Sequence, residues 1–448
     1  MACRLLTAFF SFLLFFSNMN AEPFDTTKLN KLITTADQHN QIMGALTVAK
    51  KGKVLYNKAW GYRTFNGKEQ LKSNTETKFR VGSITKTFTA VMIMQLIEEG
   101  KLALTTPLSK FYPTIPNASE ITIELLLNHH SGLHNFTDTA YLEYHTQPKS
   151  QEELLTMFAQ QTPSFKPGAN GEYSNTNYVL LGFIIENITG ENYAANLKKR
   201  ITSKVGLKNT YYGSKPDATK NEASSFSYNG MKWEEEPETH MSIPGGAGSL
   251  VSTTNDLVKF ITALFGNNLV KKTSLQKMLE MKDGYGLGIF QFPFDEKYCY
   301  GHTGGIDEFH SMLGYFPKDS VAFAFTGNGQ TMEMNDLAIG VLSIYFNRPY
   351  EIPNYALEEY KFAAEELSKY EGTYSSSQHP LKIRVWKDGN KLIAQATGQG
   401  PFALTAVNER EFKFDRARLK MIFDIKSKTE IKQFTLKQGG GQYVFVKD

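Results

Sequence analysis

The sequence predicts an α+β chain: an antiparallel sheet flanked by helices and interrupted by a helical insertion, then an all-β antiparallel barrel at the C-terminus. Three observations carry this. Strand-like runs lie on both sides of a helix-rich middle within residues 22–350. A proline-containing stretch, "NRPYEIPNYALEEYKF", follows and reads as a linker over 351–369. From Tyr370 the chain becomes about eight short runs with turn residues between them, which suits a small closed barrel over 370–448.

The elements follow in order. "TTKLNKLITTADQH" places Leu29, Leu32, Ile33 and Ala36 at helical spacing, with Asp25 as its cap. "ALTVAKKGKVLYNKAWGY" reads as a hairpin turning at Lys51-Gly52-Lys53. A short strand, Phe79 to Val81, feeds a helix from about Ser83 to Glu99 that Gly100 terminates. "SSFSYNGMKWEEEPETHMSIPGGAGSL" has no clear period and reads as a functional surface loop, with "PGGAGSL" a turn near the site. "KYCYGH", "HSMLGYFP" and "SVAFAFTGN" are strands, and Glu333 to Phe346 is a helix. Strands at both ends of this region are most economically joined in one sheet. In the last part "LKIRVWK" alternates apolar and polar residues, and "DGN" is a hairpin turn.

The 448 residues are 41% hydrophobic and 21% charged, as in ordinary globular chains. The net charge of +4 is small and dispersed, which argues against a nucleic-acid partner. Arg4, the apolar run Leu5 to Phe16 and the polar "SNMNA" form an expected signal peptide over residues 1–21, cleaved after Ala21. The mature chain is therefore expected to be periplasmic or secreted. It has no later segment apolar for long enough to span a bilayer. Cys3 leaves with the signal, so Cys299 has no disulfide partner and reads as a small buried hydrophobe.

Ser83 and Lys86 pose the functional question. A helix N-terminus favours acidic residues, and a capping serine favours Glu or Gln three positions on, yet Lys86 stands there. Residues three apart share a helix face, so the lysine can reach the serine hydroxyl. Burial at a positive helix end lowers the lysine pKa and eases proton exchange with Ser83. The helix end also offers the Ser83 backbone N–H as an oxyanion donor. A second S-x-x-K, Ser274 to Lys277, lacks the preceding strand and glycine and reads as a solvated helix face. "NHHSGLHN" has three histidines, but Gly132 interrupts any helix there and neither carboxylate nor cysteine completes a set, so no metal is expected. Elbow, zincin and phosphate-loop signatures are missing as well.

"VGSITKTFTAVMIMQLIEEGKL" followed by "ITIELLLNHHSGL" resembles the serine β-lactamase, D,D-peptidase and esterase superfamily, in its class C-like esterase and D-aminopeptidase branch. The resemblance covers roughly residues 25–350 and rests on three motifs in order: S-x-x-K (Ser83, Lys86), Y-x-N (Tyr173, Asn175) and H-x-G (His302, Thr303, Gly304). Copies of the later two at Tyr345–Asn347 and His130–Gly132 lack the setting: Tyr173 precedes a helix, and "HTGG" lies among strands. The resemblance implies a β-lactamase/transpeptidase-like sheet and a lipocalin-like C-terminal domain. It also implies an acyl-enzyme on Ser83, a proton shuttle at Lys86, and Tyr173 as general base if Lys86 lowers its phenol. Asn175 would bind the substrate amide or the lysine, and Gly305 would supply the second oxyanion N–H. No cofactor is implied, and the partner is a small-molecule or peptide substrate. The expected activity is an exported esterase or D-amino-acid peptidase. The alternatives are a D,D-carboxypeptidase or β-lactamase, and a non-catalytic protein whose barrel captures a ligand. Where β-lactamases carry a lysine this chain has His302, mostly neutral at pH 7, which implies a preference for neutral or amine-bearing substrates over carboxylates.

Overall fold

The computed structural model describes residues 24–448 except 67–68, 139, 230–231, 356–359, 399, 415–418, 426–430 and 439–440; the expected signal peptide lies outside them. A six-stranded antiparallel sheet is built from both ends of the first region. Its order is Phe290–Phe294, Lys297–Ile306, Phe309–Phe316, Val321–Gln330, Ile42–Lys50 and Lys53–Trp60. The early and late parts meet where Ile42–Lys50 pairs with Val321–Gln330. Alternation along these strands assigns their faces. Phe323 and Phe325 join Leu46 and Val48 under the helices Thr26–Gln38 and Met334–Tyr345. Ala322 and Ala324 point the other way, toward Leu257, Phe260 and Ile261 of the helix Thr254–Phe265.

The first helix is capped by Asp25, whose carboxylate accepts from Lys28 N at 2.8 Å, and it buries the four residues expected. The predicted hairpin turns at Lys51-Gly52, both with positive φ. The edge strand Phe290–Phe294 was not anticipated, because Pro293 interrupts the run "FQFPF". A proline is tolerated there because an edge strand leaves alternate N–H groups unpaired. The helix carrying Lys86 also differs in its start. Gly82–Ile84 forms a short 3-10 turn, and the α-helix Thr85–Glu98 begins with Ile84 as an N-cap without a side-chain bond. Ser83 is therefore one residue before the N-cap. Burial on almost every side of that helix explains its apolar character all round. Its buried hydroxyls are satisfied: Thr87 and Thr89 donate to the carbonyls of Gly288 and Gly246 at 2.8 and 2.6 Å.

The loop with no clear period contains a small hairpin, Phe226–Tyr228 with Trp233–Glu235, and a single helical turn, Gly245–Gly248. That turn lies directly against the helix Asn175–Thr189, where a Cβ on Gly246 would sit 2.6 Å from the Tyr178 carbonyl oxygen. Only glycine permits this approach. The last eight strands, from Gly372–Ser375 to Gly441–Lys447, form a closed antiparallel barrel sealed by Tyr374 pairing with Lys447. Aromatic side chains occupy its interior, including Tyr374, Phe412, Phe423 and the stacked pair Phe434–Phe445 with centroids 5.2 Å apart. Small barrels of this size fill with side chains or hold one ligand, and the described residues give the filled form.

Gly246→Ala is expected to cost about 1–3 kcal/mol, the usual penalty of forcing extra carbon into a packed contact. Urea denaturation measures this, and an unchanged midpoint would show that the contact has slack.

Candidate active site

Glycines bring the first and third motifs together. Phe79–Arg80 pairs with Leu250–Ser252, and Val81 N donates to the Leu250 carbonyl at 3.0 Å. The chain then turns at Gly82, with φ of 47°, and a Cβ there would be 2.8–2.9 Å from backbone atoms of Gly305. A Cβ on Gly304 would lie 2.1 Å from the Val81 carbonyl oxygen. Ser311, opposite Gly304 on the next strand, donates its hydroxyl to that same oxygen at 2.8 Å. The Ser83 turn therefore rests on the "HTGG" strand with no side chain between them.

Lys86 is fully buried, and its Nζ lies 2.9 Å from Ser83 Oγ, 2.7 Å from Asn175 Oδ1 and 2.8 Å from the Ala247 carbonyl oxygen. Burial drives its pKa well below the usual lysine range. A neutral amine has two N–H groups and one lone pair. Asn175 Oδ1 and Ala247 O can only accept, so they take the two protons, and the lone pair is left for the Ser83 hydroxyl. The expected lowering of the lysine pKa is present, and it favours the form that can act as a base toward Ser83.

Tyr173 lies beside this pair, with Lys86 Nζ 4.8 Å from its ring centroid. Burial raises its phenol well above the usual tyrosine value, and a hydrogen bond with Ser83 offsets only part of that. The expectation that Lys86 would lower it fails because burial dominates the phenol. His129 stacks on Tyr173 at 4.4 Å between centroids, and its Nδ1 accepts from Ser174 N at 3.1 Å. Asn175 N donates to Asn135 Oδ1 at 2.9 Å, and Asn175 Nδ2 donates to Thr137 Oγ1 at 2.9 Å. The Asn175 amide thus binds the lysine, as one of the two expected roles had it, and Thr137 orients it.

His302 is buried, and its Nδ1 lies 2.5 Å from the Thr303 carbonyl oxygen. A carbonyl only accepts, so Nδ1 carries the proton and Nε2 keeps a lone pair, without a hydrogen-bond partner among the described residues. Burial, then the neighbouring Lys86, pulls its pKa down to about 3, so the imidazole is neutral at pH 7. Phe290 meets it edge-on at 4.7 Å. Ser83, Tyr173, Asn175, Thr303 and Gly304 are partly exposed and Gly305 is exposed, which makes them the mouth of the site.

All eight candidate residues thus lie in segments that converge at Ser83. The other copies do not: Lys277 bonds Glu124 and Glu280 at 3.1 and 2.9 Å, and Tyr345 packs on Phe24. The histidines of "NHHSGLHN" have separate partners, His130 contacting Asn128 O and Asp283, and His134 contacting Asp138. Among the described residues no group of three or more His, Cys, Asp or Glu could hold a metal ion. Cys299 is buried, and its thiol is pushed far above the reactive range. Sequence reasoning missed His129, Asn135, Thr137 and the Ala247 carbonyl. "PGGAGSL" marked the last only as a turn nearby.

A family model described as Beta-lactamase matches residues 29–345. Penicillin-binding protein 4* of Bacillus subtilis (strain 168) is 26% identical over 441 residues, which is 92% of this chain and 97% of that protein. Teichoic acid D-alanine hydrolase of Staphylococcus aureus (strain MRSA252) is 26% identical over 264 residues, 59% of this chain and 63% of that one. Among solved structures, a D-stereospecific amidohydrolase from Streptomyces sp. superposes with a TM-score of 0.61 at 26% identity, covering 72% of this chain and 98% of that one.

The lowered Lys86 pKa has a kinetic signature. Phosphonylation of Ser83 by a neutral fluorophosphonate is expected to rise with pH as Lys86 loses its proton, and to level off well below 10.5. A rate that keeps climbing tenfold per pH unit up to the ordinary lysine pKa would show that the amine is charged at neutral pH.

Proposed function

The chain belongs to the Beta-lactamase family, and from that premise we propose an exported serine hydrolase that cleaves D-amino-acyl esters or amides through an acyl-enzyme. The observation that carries the reading is the buried Lys86 amine held 2.9 Å from Ser83 Oγ by two carbonyl acceptors, with burial lowering its pKa. In this reading Lys86 takes the Ser83 proton as Oγ attacks the substrate carbonyl. The N–H groups of Ser83 and Gly305 receive the developing oxyanion. Tyr173, a neutral phenol hydrogen-bonded to Ser83, relays a proton to the leaving alcohol or amine, and Lys86 replaces it. Water then attacks the acyl-enzyme with Lys86 again as base, returning Ser83. The D-amino-acyl class is supported by the names of the D-alanine hydrolase and the amidohydrolase, and export by the apolar run Leu5 to Phe16.

His302 separates this reading from a D,D-carboxypeptidase or β-lactamase. A neutral imidazole whose N–H is spent on Thr303 offers no cation and no free donor to a substrate carboxylate. The filled barrel interior likewise weighs against a protein that only captures a ligand.

A tagged fluorophosphonate is expected to label the peptide containing Ser83, with Ser83→Ala both unlabelled and inactive on a panel of acyl esters, D-amino amides and β-lactams. Labelling of another serine, or turnover by Ser83→Ala, overturns the mechanism. On the same panel His302→Lys is expected to shift relative kcat/KM toward carboxylate-bearing substrates by roughly tenfold or more, since one charge-assisted hydrogen bond is worth about 1.5–3 kcal/mol. A wild type that already prefers carboxylates, with no shift in the variant, would remove His302 as the selectivity residue.

A further inference from the structure

An oxyanion hole acts only if both donors are fixed before the charge develops. Here one donor, Ser83 N–H, lies early in the chain and the other, Gly305 N–H, more than two hundred residues later. The missing side chains at Gly82 and Gly304 let these segments approach closely, but an absent side chain cannot hold them together. Two attractive ties do. One is the Ser311 hydroxyl on the Val81 carbonyl. The other is a buried ion pair outside the three motifs. Arg80, three residues before Ser83, donates from Nη1 to Asp307 Oδ2 at 3.0 Å, and Asp307 stands two residues after Gly305. The two side chains are 3% and 4% exposed, so water does not screen their attraction.

The pair is the centre of a wider network. Arg80 Nη1 also donates to the Thr239 carbonyl at 2.8 Å, while Nη2 meets Glu238 Oε2 at 2.9 Å and the Ser214 carbonyl at 3.3 Å. Asp307 Oδ1 accepts from Thr239 N at 3.0 Å and from Thr239 Oγ1 at 2.7 Å. Since Thr239 has spent its hydroxyl proton, the Tyr141 hydroxyl donates to Thr239 Oγ1, at 2.8 Å. Tyr141 follows closely on Asn135 and Thr137, which hold Asn175. One fork-shaped guanidinium thereby links the segments of all three motifs, and the shorter, single-headed lysine cannot reproduce its geometry.

We propose that Arg80 is a positioning residue for acylation: bonded to Asp307, it fixes the separation of the Ser83 and Gly305 N–H groups and so the fit of the oxyanion. The inference rests on the acyl-enzyme reading above. A misplacement of about 1 Å costs on the order of a hundredfold in rate, so the effect belongs in kcat.

The test compares wild type with Asp307→Asn, Arg80→Lys, their double variant and Glu238→Gln, using a neutral p-nitrophenyl ester well below each thermal midpoint. Asp307→Asn and Arg80→Lys are expected to lose roughly tenfold to a hundredfold in kcat with KM within about threefold. The double variant should be no worse than the poorer single one, because both remove the same tie. Glu238→Gln, which spares that tie, should stay within about twofold. Folded Asp307→Asn and Arg80→Lys with wild-type kcat, or losses confined to KM, overturn the proposal. If neither folds, Asp307→Glu keeps the charge but moves the carboxylate by one methylene relative to Arg80; a lowered kcat with native KM supports the proposal, and an unchanged kcat refutes it. Absence of Ser83 labelling in wild type would instead defeat the underlying hydrolase reading.

Discussion

Burying one lysine amine is the constraint around which the rest is arranged. An ammonium in that position would gain most from a carboxylate, and among the described residues the Lys86 Nζ meets Ser83 Oγ, Asn175 Oδ1 and Ala247 O instead. Burial lowers the amine's pKa well below the usual lysine range. Each partner requires its own framework. Ala247 O is within reach because Gly246 packs against backbone of the helix Asn175–Thr189. Asn175 Oδ1 points at the amine because Thr137 takes the other end of the amide. The sheet made from both chain ends then carries "HTGG" to the serine.

Burial works against positive charge throughout the centre. It lowers the pKa of both potential cations, Lys86 and His302, and of His129 behind Tyr173. Recognition at the mouth must then depend on shape and on the direction of a few dipoles.

Much of this architecture was legible in the sequence. The barrel strands announced themselves because alternating residues sit between turn signals such as Asp388-Gly389-Asn390, and the sheet followed from strands at both ends of a helical middle. Ser83 and Lys86 stood out because a lysine contradicts the capping rule. What escaped shares a physical cause. Ala247 acts through its carbonyl, which every residue has, so no side-chain type marks it. His129 acts by stacking on Tyr173, a contact that its position in "NHHSGLHN" does not mark. The direction of the Tyr173 shift depends on how dry the pocket is and on whether Lys86 keeps its proton. Burial decides both, and spacing along the chain does not reveal it.

The unprotonated centre has a consequence for proton binding by the whole molecule. An unfolded chain would take up a proton on His302 near its ordinary value of 6.5, while the folded chain refuses it down to about 3. His129 is shifted in the same direction. Across that interval the unfolded state binds more protons, so stability falls as the solution is acidified from about 6.5 toward 3. Lys86 extends the same imbalance from its lowered value up to 10.5, where the folded form gains as pH rises. Acid therefore bears on the folded state through the residues gathered around the nucleophile.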